Sequence, residues 1–65
     1  MQMHINGRER DITANDIAAL LQELGLDPQR VAVELNRAIV LHANFAQTPL
    51  AAGDSIEIVQ FVGGG

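Results

Sequence analysis

Sixty-five residues allow one small domain, and a chain of that length buries only about 60% of its unfolded surface, so its stability is modest. The absence of cysteine excludes disulfides and thiolate metal sites, and no apolar run approaches the roughly 20 residues needed to span a bilayer. Eight acids against four arginines, with no lysine, give a net charge of −4; that balance argues against a phosphate-neutralising face and hence against nucleic acid as a partner.

The opening stretch MQMHINGRER lacks the basic start and long apolar run of a secretion signal, so a cytoplasmic location is expected. Met1, Met3 and Ile5 alternate with Gln2, His4 and Asn6, the period of a half-buried strand. Asn6-Gly7 is a strong hairpin signal, because both residues tolerate φ > 0. A second strand, mostly polar and near an edge, is expected from Arg8 to about Ile12.

In TANDIAALLQELGLDP, Ile17, Leu20, Leu21 and Leu24 fall at i, i+3, i+4 and i+7, one face of a helix placed at about residues 14–25. Thr13 or Asn15 is the expected cap, with Asp16 in the first turn at the positive end of the dipole. Gly25 supplies a left-handed stop, Leu26 folds back as its apolar contact, and Pro28 prevents continuation.

VAVELNRAIVL reads as strand, turn and strand, with Val31, Val33 and Leu35 on one face and a turn at Asn36-Arg37. HANFAQTPL has no clear period and is expected as a short helical turn or irregular crossover pinned by Phe45 and Leu50. A turn at Ala52-Gly53-Asp54 leads into a last strand over residues 55–62. The order predicts an α+β fold of the β-grasp layout: a four- to five-stranded mixed sheet covered on one face by one main helix. Residues 1–62 form the domain and residues 63–65 a glycine tail.

The last strand breaks strict alternation. Ile56 and Ile58 share one face, whereas Val59 and Phe61 share the face of Glu57. Either Val59 and Phe61 form an exposed apolar docking patch, or a bulge returns them to the core or the crossover around Phe45 covers them. Gly63, Gly64 and Gly65 have no side chains to pack and the greatest backbone freedom. Extended, they reach about 10 Å, and nothing on them obstructs passage through a narrow channel. They present the α-carboxylate of Gly65 on a thin stalk; terminal fraying is the alternative reading.

VAVELNRAIV (residues 31–40) and GDSIEIVQFVGGG (residues 53–65) carry a resemblance. On these stretches, in this order and spacing, the chain resembles the thiamine-biosynthesis sulfur carriers of the ThiS family, in the ubiquitin-like β-grasp superfamily. The likeness covers essentially all 65 residues. It departs at Asn36-Arg37, where the family often has Asn-Gly, at Leu41-His42, where it often has Pro-Arg, and near Phe45, where many members carry tryptophan.

The resemblance implies a carrier and not an enzyme. A carboxylate is a poor electrophile, so a separate ThiF-like adenylating enzyme uses ATP to join AMP to Gly65. A persulfide sulfur, ultimately from cysteine through a donor such as a cysteine desulfurase, then converts the end to a thiocarboxylate. A ThiG-like thiazole synthase takes that sulfur for the thiazole of thiamine. Gly63 and Gly64 thread the tail into both enzymes, and the chain itself binds no cofactor. Two other readings stay open: a ubiquitin-like modifier or interaction protein, and a carrier of the molybdopterin pathway, whose synthase small subunit also ends in Gly-Gly.

No catalytic constellation competes with these. His4 and His42 lack the spaced partners of a metal site. Ser55 has no sign of a triad and fits the adjacent turn. Glu34 and Glu57 are candidate paired carboxylates but read more simply as solvated strand positions. The terminal glycines precede no helix and make no phosphate loop.

Overall fold

The computed structural model describes residues 1–62. The glycine tail at 63–65, with its expected attachment point Gly65 and threading residues Gly63 and Gly64, lies outside the described residues. Two hairpins, β1 (Gln2–Ile5) with β2 (Arg8–Asp11) and β3 (Val31–Leu35) with β4 (Ala38–Val40), flank β5 (Ser55–Gln60) in a five-stranded sheet of order β2-β1-β5-β3-β4. β5 runs parallel to β1 and antiparallel to β3, so the sheet is mixed as expected.

Each hairpin turns on two residues with φ > 0: Asn6 (51°) and Gly7 (80°), then Asn36 (50°) and Arg37 (72°). That pairing matches the right-handed twist of the flanking strands. Arg37 holds a left-handed conformation that glycine adopts without steric cost. β2 lies at the sheet edge with all four side chains exposed, as its polar sequence requires.

The helix α1 (Ile17–Glu23) is shorter at both ends than the apolar period suggests. Its cap is Asp16, not Thr13 or Asn15: the Asp16 carboxylate accepts the Ala19 N–H at 2.7 Å. Asn15 is committed elsewhere, its carbonyl accepting the Leu50 N–H, while the Ile17 N–H donates to the Thr48 carbonyl. The crossover therefore holds the residues that would have formed the first turn. At the other end Leu26 N–H reaches the Leu21 carbonyl and Gly25 N–H reaches that of Gln22, a Schellman stop with Gly25 at φ 73°. A 3-10 turn at Pro28–Arg30, capped by the Asp27 carboxylate on the Gln29 N–H, then feeds β3.

One core sits between α1 and the inner sheet face. Ile17, Leu20 and Leu21 meet Met3, Ile5, Val33, Ile56 and Ile58, while Leu24 is half-buried at the margin. Phe45, in a 3-10 segment at His42–Gln47, closes the end of the core as expected. Glu23 latches the helix to the strap before it. Its carboxylate accepts the Thr13 hydroxyl at 2.8 Å, the Thr13 N–H and the Ala14 N–H. These donors, the Thr13 hydroxyl foremost, hold its pKa below the ordinary 4.5.

Two outcomes follow from this packing. Leu21 is fully buried, so Leu21→Ala should cost about 2–5 kcal/mol in chemical denaturation; a loss under about 0.5 kcal/mol would place the core elsewhere. A lowered folded-state pKa gives Glu23 a stabilising contribution that is full above 4.5 and lost as pH falls through the folded value. The stability difference between the wild type and Glu23→Gln should therefore be largest near neutral pH and shrink below pH 4.5.

Candidate functional site

β5 places alternate side chains on opposite faces, and its register with β3 runs unbroken from Leu35–Ile56 to Val31–Gln60. No bulge intervenes, so Ile56 and Ile58 enter the core while Glu57 and Val59 stand on the face away from α1. β5 ends at Gln60 rather than Val62, because β3 begins at Val31 and offers no further partner. The Phe61 N–H makes the last rung, donating to the Arg30 carbonyl at 2.7 Å. Val59 is 58% exposed and Phe61 59%.

Two apolar neighbours escaped the sequence reading. Ile39 is the register partner of Glu34, hence on the same outer face, and is 76% exposed. Leu41 follows it by alternation at 65%. Ala38-Ile39-Val40-Leu41 is a continuous apolar run, which periodicity cannot assign to faces; the register with β3 assigns Ile39 to the outer face, and at the sheet edge only Val40 of the four is half-buried. The same pairing sets Glu34 directly opposite Glu57, both exposed.

The other chemistry-bearing residues do not form a reactive centre. Glu9, His4 and Ser55 stand in one row across β2, β1 and β5, but no hydrogen bond links them among the described residues, and a triad needs both. The Ser55 N–H instead donates to Asn36. His42 lies against Phe45 with ring centroids 5.1 Å apart, its Nε2 3.3 Å from Gln29 Nε2. Among the described residues no three metal-ligating side chains cluster, and no helix is long and apolar enough to cross a membrane.

Beyond its backbone ladders with β3 and β1, β5 is secured by a pair of asparagine side chains. Beyond the end of β1, Asn6 accepts the Ile58 N–H at 2.7 Å and donates to the Ile58 carbonyl at 3.2 Å. Its amide stands in for the strand residue that the turn removed. Asn36 does the corresponding work at the start of the strand, accepting the Ser55 N–H at 2.9 Å and donating to Asp54 at 3.1 Å. Both residues were legible as turn formers; neither clamp was legible, because each joins residues distant in sequence.

The model of the ThiS family matches residues 3–65. The chain belongs to the ThiS family. The sulfur carrier protein ThiS of Thermus thermophilus is 33% identical over 61 residues, covering 94% of this chain and 95% of that one. The crystal structure of the thiamine biosynthesis protein ThiS from Geobacter metallireducens superposes with a TM-score of 0.85 at 29% identity, each chain wholly covered. A thiazole synthase of Paramagnetospirillum magneticum is 48% identical over 66 residues, which span all of this chain and 20% of that protein. One from Magnetococcus marinus is 39% identical over the same share. The chain thus spans about a fifth of the length of these two relatives.

In this ThiS-family chain Asn6 extends the β1 side of β5 to Ile58. Asn6→Gly keeps the positive φ of the turn while removing the amide. It should cost about 1–3 kcal/mol, and amide hydrogen exchange at Ile58 should quicken more than at Val33. Equal protection of Ile58 in both proteins would show that the side chain does not hold the strand.

Proposed function

We propose that the chain is a sulfur carrier for thiazole formation in thiamine biosynthesis, acting in the cytoplasm as a substrate of other enzymes. The observation that carries this reading is the ThiS family match through residue 65, which takes in the glycines after β5. The ThiS of Thermus thermophilus, similar along nearly all of both chains, supports it.

The chemistry asks little of the domain except presentation. A Gly65 carboxylate oxygen attacks the α-phosphorus of ATP in an adenylating enzyme, and pyrophosphate leaves. A persulfide sulfur then attacks the acyl carbon and AMP departs. Cleavage of the remaining S–S bond by a thiol leaves a thiocarboxylate. Each step replaces a poor electrophile or nucleophile with a better one, and each occurs at the last residue. Gly63 and Gly64 carry no Cβ to obstruct a channel, and Val59 and Phe61 meet the enzyme surface around its mouth. ATP is held by the adenylating enzyme, and the sulfur leaves in a thiazole synthase.

The test is intact mass. Incubation with the adenylating enzyme, ATP and a cysteine-derived sulfur donor should add about 16 Da, the exchange of oxygen for sulfur. A chain lacking Gly64 and Gly65, folded by circular dichroism, should gain nothing. An unchanged mass for the full chain with an enzyme shown to be active would refute the carrier reading.

A further inference from the structure

We propose that Asn6 is a latent modification site: it deamidates through Gly7 when the first turn opens, and the native fold is what holds that reaction off. The site lies outside the carrier chemistry and does not depend on it. Four asparagines occur in the chain, and Asn15, Asn36 and Asn44 precede Asp16, Arg37 and Phe45. Asn6 precedes a glycine. In this reaction the backbone nitrogen after the asparagine loses its proton to a base and attacks the side-chain Cγ, and ammonia leaves. The product is a five-membered succinimide ring. Water then adds to one of its two carbonyl carbons and opens it, giving aspartate or, where the chain now runs through Cβ, isoaspartate. Gly7 has no Cβ to crowd the attacking nitrogen, whereas each of the other three asparagines is followed by a bulky side chain.

The native structure opposes ring closure in two ways. Closure requires Asn6 Cβ and Gly7 N to eclipse about the Cα–C bond. Asn6 has φ 51° and Gly7 φ 80°. At the ψ of roughly +30° that such a turn gives its first central residue, the two atoms lie nearly opposite each other across that bond. The side chain is also held. Its oxygen accepts the Ile58 N–H at 2.7 Å and its nitrogen donates to the Ile58 carbonyl at 3.2 Å, while the Asn6 N–H donates to the Ile56 carbonyl at 2.8 Å. Swinging Cγ toward Gly7 breaks the side-chain pair, and turning the backbone disturbs the Ile5–Arg8 pairing that closes the hairpin. Asn6 and Gly7 are both exposed, so burial does not shield them from water or base. Conformation alone supplies the protection, and the reaction waits for the turn to separate from β5.

Neither product restores the clamp. Aspartate can still accept the Ile58 N–H, but it sets an oxygen against the Ile58 carbonyl where a donor stood. Isoaspartate adds a backbone carbon to a two-residue turn, so the strands can no longer pair as before. A chain that has reacted is thus marked covalently at the join of β1, β2 and β5.

The test follows the full chain at mildly alkaline pH, native and in guanidinium chloride above its unfolding transition. Intact mass reports the gain of about 1 Da as NH is exchanged for O, and peptide fragmentation locates it. The unfolded chain should react at Asn6 at least about 10-fold faster than at Asn15, Asn36 or Asn44, and the native chain at least about 10-fold more slowly than the unfolded one. Asn6→Asp should melt below the wild type and exchange its Ile58 amide faster, relative to Val33. Equal rates in the native and unfolded chain overturn the proposal, because the fold then provides no lock. Faster reaction at another asparagine in the unfolded chain overturns the choice of site. An Asn6→Asp chain with the wild-type midpoint and wild-type exchange at Ile58 overturns the consequence drawn for the clamp.

Discussion

A seven-residue helix can cover only one face of a five-stranded sheet, and β5 is where that constraint becomes consequential. Its inner residues, Ile56 and Ile58, complete the core under Leu20 and Leu21. Its outer residues, Glu57 and Val59, have no layer above them. The same strand thus anchors the domain from one side and offers a surface on the other. It lies between two hairpins, paired with β3 along its length and with β1 at its start, so the strand before the tail is central rather than an edge.

The asparagine clamps explain how so short a strand is held. Parallel pairing with β1 supplies only two register pairs, His4–Ser55 and Ile5–Ile56. Asn6 extends that side to Ile58 through its amide, and Asn36 secures the opposite end at Ser55. Both asparagines sit at φ near 50°, where few side chains other than asparagine and aspartate are tolerated. A turn residue and a strand partner are therefore combined in one side chain, an economy suited to a domain of this size.

The outer face shows a different compromise. Stability alone would favour opposite charges, or none, at the Glu34–Glu57 pair, and polar residues at Ile39, Val59 and Phe61. Those choices would also leave a face with little to recognise. Uncovered apolar residues and the facing acids Glu34 and Glu57 thus share one exposed surface of the free chain. The Glu23 latch lies on the far side of the domain, so pH effects through Glu23 act on folding rather than on that surface.

By itself the sequence determined the elements and their order. Periods of two and 3.6, the Asn-Gly turn and the Gly25 stop are local signals, and local backbone chemistry enforces them. It also pointed to the glycine tail, whose character is a property of residue type. Helix ends and the limit of β5 were less legible: Asn15 and Ile17 are engaged by the crossover, and Phe61 has no strand beyond Arg30 to pair with, conditions set by distant segments. Only tertiary structure decided which side of the final apolar run faces water, that Ile39 and Leu41 join Val59 and Phe61, and that Glu34 meets Glu57. Those facts depend on register between strands, and register is fixed by how two hairpins and a crossover pack around one helix, which no short window of sequence contains.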